Sequence, residues 1–164
     1  MSHRTDRSRV TTLLIPEMNF TCNASIIGFS VTGQNLYRSP YSKIQIWQNQ
    51  TSTYHQVGSG ISVNFHNSRG SCVASRSYEG GLLWCILRDT FQISIQPDDI
   101  LGIELPATAD DVEIFFTRGG PVNYVFGRRI SSNFNINLSS SSKVKQLPQI
   151  VFNLTSGEVY TLTY

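Results

Sequence analysis

Charge is scarce in this chain. Only 15% of its 164 residues are Asp, Glu, Lys or Arg, against about a quarter in an ordinary globular protein. The 13 basic and 11 acidic residues nearly cancel, leaving +2. That balance argues against a nucleic-acid partner, and the clusters Arg4, Arg7, Arg9 and Arg128-Arg129 read as solvated surface. Cysteine is scarce too. Cys22, Cys72 and Cys85 are too few for a disulfide scaffold and lack the paired spacing of a zinc site. No run approaches the roughly 18 apolar residues of a membrane span, so no membrane insertion by this segment is expected. No apolar stretch follows the charged N-terminus, and Leu13-Leu14-Ile15 is too short for a signal peptide. Helical periodicity is nearly absent as well; no window sustains apolar spacing at i, i+3, i+4 and i+7.

Ser, Thr and Asn take the place of charge. The chain holds 11 Asn and 34 Ser or Thr, a composition that yields about two Asn-x-Ser/Thr acceptor sequences by chance. It has five, at Asn19, Asn23, Asn49, Asn137 and Asn153. A sequon matters only in a secreted chain, where its Asn must face water to carry a sugar. These Asn residues fall where alternation points polar side chains outward. The expected compartment is therefore extracellular or the cell surface. With no signal peptide in this segment, the chain is expected to be part of a larger secreted protein. An intracellular chain with accidental sequons is the competing reading.

Short alternating runs bounded by Gly, Pro, Asn and Ser dominate, the mark of half-buried strands. Thr11–Ile15 is a first strand, stopped by Pro16. Over 19–25, Phe20, Cys22 and Ala24 face one way and Asn19, Thr21, Asn23 and Ser25 the other; Gly28 suggests a bulge. Gly33–Tyr41 reads as loop. Lys43–Gln48 turns Ile44 and Ile46 inward and Trp47 outward. Thr53–Val57 and Ile61–His66 flank Gly58-Ser59-Gly60 as a hairpin. Residues 67–81 have loop composition. Leu82–Leu87 is apolar throughout, with Trp84 and Cys85 on opposite faces, and Phe91–Gln96 alternates strictly. Pro97-Asp98-Asp99 suits a type I turn into Ile100–Leu105. Asn133–Leu138, Gln149–Leu154 and Glu158–Thr163 complete the pattern, Asn137 opposing Ile136 and Asn153 opposing Phe152. Roughly eleven to thirteen strands at this spacing give an all-β fold, a jelly-roll-like antiparallel β-sandwich. Residues 1–9 form a flexible polar N-terminus and 10–164 a single domain.

No residue set spells out a reaction, so no catalytic residue, metal site or cofactor is expected. Ser59 lacks the spacing of a nucleophile elbow, and His3, His55 and His66 read as surface residues. Asp98-Asp99 and Asp110-Asp111, with Glu104 and Glu113, could gather as calcium ligands or a glycosidase pair, although turn chemistry explains Asp at strand ends. A carbohydrate-active or calcium-dependent jelly-roll protein is therefore the alternative function. Tyr37, Tyr41, Tyr54, Tyr78 and Trp47 are candidates for a sugar- or protein-binding surface. Two disulfides are open. Cys22 and Cys85 both lie on apolar faces and could staple the sheets; Cys72 could bridge Cys85 locally, an arrangement favoured by its place before the same hairpin, with Cys22 left as a buried thiol.

Leu14-Ile-Pro-Glu-Met-Asn-Phe-Thr-Cys22, Phe91-Gln-Ile-Ser-Ile-Gln-Pro-Asp-Asp-Ile-Leu-Gly-Ile-Glu-Leu-Pro106 and Ile114-Phe-Phe-Thr-Arg-Gly-Gly-Pro-Val-Asn-Tyr-Val-Phe126 together resemble an uncharacterised extracellular β-rich module that recurs in predicted cell-surface proteins of sponges, beside fibronectin- or immunoglobulin-like domains and membrane spans. The resemblance covers nearly the whole chain. It implies a cell-surface setting and carries no site residues. Asp98 stands where the module has a turn Gly. The combined expectation is a non-enzymatic recognition or adhesion module whose ligand is a protein or a glycan.

Overall fold

Alternating sequences pair into ladders because one face of each strand must leave water. The computed structural model describes residues 2–3, 11–34, 43–51, 53–62, 70–78, 81–105, 113–114, 116–126, 130, 138, 141–155 and 159–161. In chain order the strands are β1 (Ser2–His3), β2 (Thr11–Asn19), β3 (Ala24–Gln34), β4 (Lys43–Gln50), β5 (Thr53–Ser62), β6 (Cys72–Tyr78) and β7 (Leu82–Leu87). They continue with β8 (Ile93–Ile95), β9 (Ile100–Leu105), β10 (Glu113–Ile114), β11 (Phe116–Phe126), β12 (Ser142–Pro148), β13 (Ile150–Leu154) and β14 (Val159–Thr161).

Among the described residues these form two seven-stranded sheets. The first is ordered β1-β11-β2-β9-β4-β5, with β12 also on β11; the second is ordered β14-β13-β3-β7-β6, with β8 and β10 also on β3. Neighbours are antiparallel throughout, as in β2 with β9 and β3 with β7. Consecutive strands lie in different sheets at β2–β3, β3–β4, β5–β6, β8–β9, β9–β10, β10–β11 and β12–β13. The result is the all-β, jelly-roll-like sandwich expected from the alternation.

One core fills the space between the sheets. The first sheet contributes Leu13, Ile15, Ile44, Ile46, Leu101 and Ile103; the second contributes Phe29, Val31, Leu83, Cys85, Ile150, Phe152 and Leu154. Phe20 joins them from the β2–β3 link, its ring 5.8 Å from that of Phe152 and tilted by 60°. Each side chain of this size contributes about 1.5–3 kcal/mol by leaving water.

Several local expectations are corrected by pairing. Pro16 does not stop β2. The register jumps from Ile15 opposite Leu101 to Asn19 opposite Ile100, so Pro16, Glu17 and Met18 bulge out, where a missing N–H breaks no ladder bond. Residues 19–25 are not one strand. Residues 20–23 cross between sheets, and Phe20 is pinned to the far turn in both directions: its N–H donates to the Asp99 carbonyl at 2.8 Å and its carbonyl accepts from the Asp98 N–H at 2.9 Å. Gly58-Ser59-Gly60 is not a hairpin turn. β5 runs through it beside β4, with Ile61 opposite Ile44 and Val57 opposite Ile46, and Gly58 and Gly60 absorb the bulge at φ 72° and 81°. The hairpin lies instead between Gln50 and Thr53.

Residues 72–78, expected as loop, form β6 on β7. The turn after β8 is type II, since Asp98 sits at φ 73° and the Asp99 N–H bonds the Gln96 carbonyl at 3.1 Å. Phe91 lies in a 3-10 turn, Asp89–Phe91, and is exposed rather than inward. The bulge expected at Gly28 falls at Ile27, because Ile26 faces Leu154 while Gly28 faces Asn153. Within the polar N-terminus, Ser2 and His3 pair with Thr117 and Phe116. The strand read over 133–138, with Ile136 and Asn137, and the loop residues Tyr37, Tyr41 and His66 lie outside the described residues apart from Leu138.

Candidate functional site

Each sheet turns one face to the core, so the outer faces are where a ligand could bind. They differ sharply. The outer face of the first sheet is closed by a second apolar cluster of Leu14, Trp47, Ile100 and Ile130, with Tyr54, Phe126 and Leu138 packed against it. Ile130 and Leu138, which fall between β11 and β12 in the chain, cover the sheet here. Trp47 is thus no surface aromatic: it is 0% exposed. Its indole lies over Gly102, where an added Cβ would overlap the ring and come within 3.0 Å of Leu14 Cδ2. Its Nε1 donates to Gln45 Oε1 at 3.1 Å, and Gln45 Nε2 donates to Glu104 Oε2 at 3.3 Å. Glu104 is therefore a buried acceptor under a cover. Tyr54, expected as a binding aromatic, is half-buried at this cluster; burial first, then the nearby Glu17, Tyr124 and Asp98, pushes its phenol pKa up.

Among the described residues, the outer face of the second sheet is partly exposed. On β7, Leu83, Cys85 and Leu87 fill the core while Leu82, Trp84 and Ile86 face out, Ile86 at 37% exposure. Trp84 stands between Ser30 on β3 and Arg76 on β6. Together Ser30, Arg76, Leu82 and Trp84 line a groove of about 430 Å³. An indole offers a flat face to a sugar ring or an apolar side chain, a guanidinium grips carboxylates, and a hydroxyl donates or accepts.

The groove rests on a covalent brace. Cys72 and Cys85 form a disulfide across β6 and β7, Cα atoms 5.7 Å apart. Val73 makes this possible: Cys72 faces Leu87 while Ala74 faces Ile86, so Val73 is extruded, at 59% exposure, and Cys72 turns inward. Of the two pairings open from sequence, the local one is formed. Cys22 is a free thiol, half-buried against the core.

Asn23 and Asn49 are exposed, Asn19 and Asn153 are half-buried, and Asn137 lies outside the described residues. Asn19 Nδ2 donates to Asp98 Oδ1 at 3.0 Å. Asn49 precedes the β4–β5 turn, whose Thr51, the sequon hydroxyl, sits at φ 62°, an uncommon place for a β-branched residue. Asn153 projects from the outer face of β13. The sequons at 23 and 153 meet: Thr155 Oγ1 accepts from the Ser25 N–H at 3.1 Å, and the Thr155 N–H donates to the Ser25 carbonyl at 3.0 Å.

Among the described residues the acids do not converge. Asp99 accepts from the Gln96 N–H at 2.8 Å and holds its own turn. Asp110 and Asp111 lie outside the described residues, and Glu113 belongs to β10. Among the described residues no three His, Cys, Asp or Glu side chains come together as metal ligands, and no helix is long and apolar enough to cross a membrane. A smaller cleft of about 120 Å³ lies between the Gly58–Gly60 bulge and Thr90–Ile93. Sequence reasoning missed the groove, although its signal was present: six apolar residues in a row over 82–87 mean a strand that is apolar on both faces. Compared with protein-family models, curated proteins and solved structures, the chain matches none.

Proposed function

We propose that this chain is a non-enzymatic extracellular recognition or adhesion module that binds a protein or a glycan in the Trp84 groove. The observation that carries the reading is the open apolar face of β7, with Trp84 beside Arg76, on a sandwich whose other outer face is closed. Trp and Arg are the residues that dominate binding hot spots. The Cys72–Cys85 disulfide and the exposed sequons Asn23 and Asn49 support an oxidising, secretory setting. The resemblance to the sponge module supports a place within a larger cell-surface protein.

The test is a glycan-array and surface-proteome screen with the module made in secreting cells. Trp84→Ala and Arg76→Ala are each expected to lose binding while retaining cooperative unfolding. Full binding by both variants would remove the groove from consideration. The compartment is read separately, as a mass increase that an N-glycosidase removes.

A further inference from the structure

We propose that an N-linked glycan on Asn153 lies across the second sheet over Gly28 and covers Ile86, forming a sugar wall beside the Trp84 groove. The inference rests on the extracellular reading above and adds to it a defined resting place for one glycan. Register carries the argument. Asn153 faces Gly28, Gly28 faces Ile86, and Ile86 faces Ala74, so these four form one row across the sheet. A Cβ built on Gly28 would sit 3.7 Å from Asn153 Cβ and 3.7 Å from Ile86 Cα. Gly28 carries no side chain and is itself buried, so no third side chain stands in the row between the acceptor amide and the isoleucine. Gly28 is required at this point on its own account, since a Cβ would lie 2.8 Å from the Cys85 carbonyl. Asn153 and Ile86 are two strand spacings apart, roughly 10 Å, a gap that the core disaccharide of an N-glycan can bridge.

The chemistry matches. A pyranose has an apolar C–H face and a polar rim, and the row offers it exposed aliphatic surface on Ile86, with Ala74 beyond. The next row holds Val151, Ser30, Trp84 and Arg76, so a sugar over Ile86 borders the groove without filling it. Attachment uses a lipid pyrophosphate-linked oligosaccharide as donor. The Asn153 Nδ2–C1 bond forms, the C1–O bond to phosphate breaks, the amide gives up one proton and the lipid pyrophosphate leaves. Asn49 serves as the control, being exposed on β4 of the other sheet.

The experiment is a double-mutant cycle on protein from secreting cells, comparing wild type, Asn153→Gln, Ile86→Thr and the double variant, with occupancy of each sequon read by glycopeptide mass spectrometry. Asn153→Gln is expected to lower Tm by about 2–4 °C and Asn49→Gln to leave it unchanged. Ile86→Thr is expected to cost more with the glycan present than without it, so that the shifts are non-additive. If Asn153→Gln is not secreted, enzymatic removal of the glycan from folded wild type and from Ile86→Thr completes the same cycle. Additive shifts with Asn153 occupied overturn the proposal and leave the extracellular reading standing. So does a bare Asn153 beside other occupied sequons. Five bare sequons overturn both.

Discussion

The chain has two tryptophans, and each sits on the outer face of a different sheet. Trp47 is sealed in a cluster with Ile130 and Leu138, laid over Gly102 and bonded to Gln45. Trp84 lines an open groove. Both occur on strands whose side chains point alternately to the two faces, with inward neighbours Ile46 for one and Leu83 and Cys85 for the other. Alternation therefore assigns a face and says nothing of what covers it. A sheet has two faces, and a sandwich buries only one of each; the fate of the other is decided by distant segments. In this molecule one outer face is used for stability and the other is left available.

The largest expected effect separates the two tryptophans. Trp47→Ala removes a fully buried indole and should cost about 3–5 kcal/mol, read as a fall in the urea midpoint. Trp84→Ala should cost about 1 kcal/mol while abolishing ligand binding. Acrylamide should quench Trp84 and spare Trp47, an assay made simple by there being only two indoles. Equal costs for the two substitutions would erase the distinction between closed and open faces.

That distinction also marks how far the sequence could be read. The core was legible, since Ile44, Ile46, Leu101, Ile103, Phe152 and Leu154 follow a period of two and burial of one face enforces it. Bulges were not. Pro16 and the Gly58–Gly60 segment carry the same residues that end strands, and only the partner strand reveals that pairing resumes beyond them. β6 was missed because Cys-Val-Ala-Ser-Arg-Ser-Tyr lacks alternation, the bulge at Val73 having shifted its phase. Trp47 was placed correctly on the outer face and wrongly in water, because its cover, including Ile130, lies about eighty residues away in the chain. Gly102, which makes room for the indole, gave no signal at all.

The next effect bears on the open face alone. The Cys72–Cys85 bridge ties down β6, the strand that supplies Arg76 to the groove. Replacing both cysteines by alanine should cost about 2–4 kcal/mol and weaken binding through a loosened edge. The emission of Trp47 under native conditions should be unchanged. A shift in Trp47 emission would mean that the two outer faces are coupled through the core.

Gly102→Ala probes the closed face with a single methyl group. The new Cβ meets the Trp47 ring and Leu14, so overpacking should cost about 1–3 kcal/mol and shift Trp47 emission toward the red, with groove binding retained. Loss of binding without loss of stability would contradict the assignment of function to the second sheet.

The smallest effect concerns neither face but the turn that joins the sheets. Asp99 is buried at the passage from β8 to β9. Burial raises its pKa, the Gln96 N–H opposes that, and neighbouring Asp98 adds to the rise. A carboxyl whose folded pKa lies above its unfolded value holds its proton more tightly in the native state. Its contribution to stability is therefore fully present below the ordinary aspartate pKa of about 3.9 and is lost as pH rises through the folded pKa. Asp99→Asn keeps an oxygen to accept from Gln96 and has no charge to desolvate. Its Tm should fall less than that of wild type as pH rises from roughly 3 to 7, while binding at neutral pH persists. The Phe20 backbone bonds hold both variants in the same turn, so parallel Tm profiles would show that the carboxylate is solvated in place and that the crossing carries no electrostatic cost.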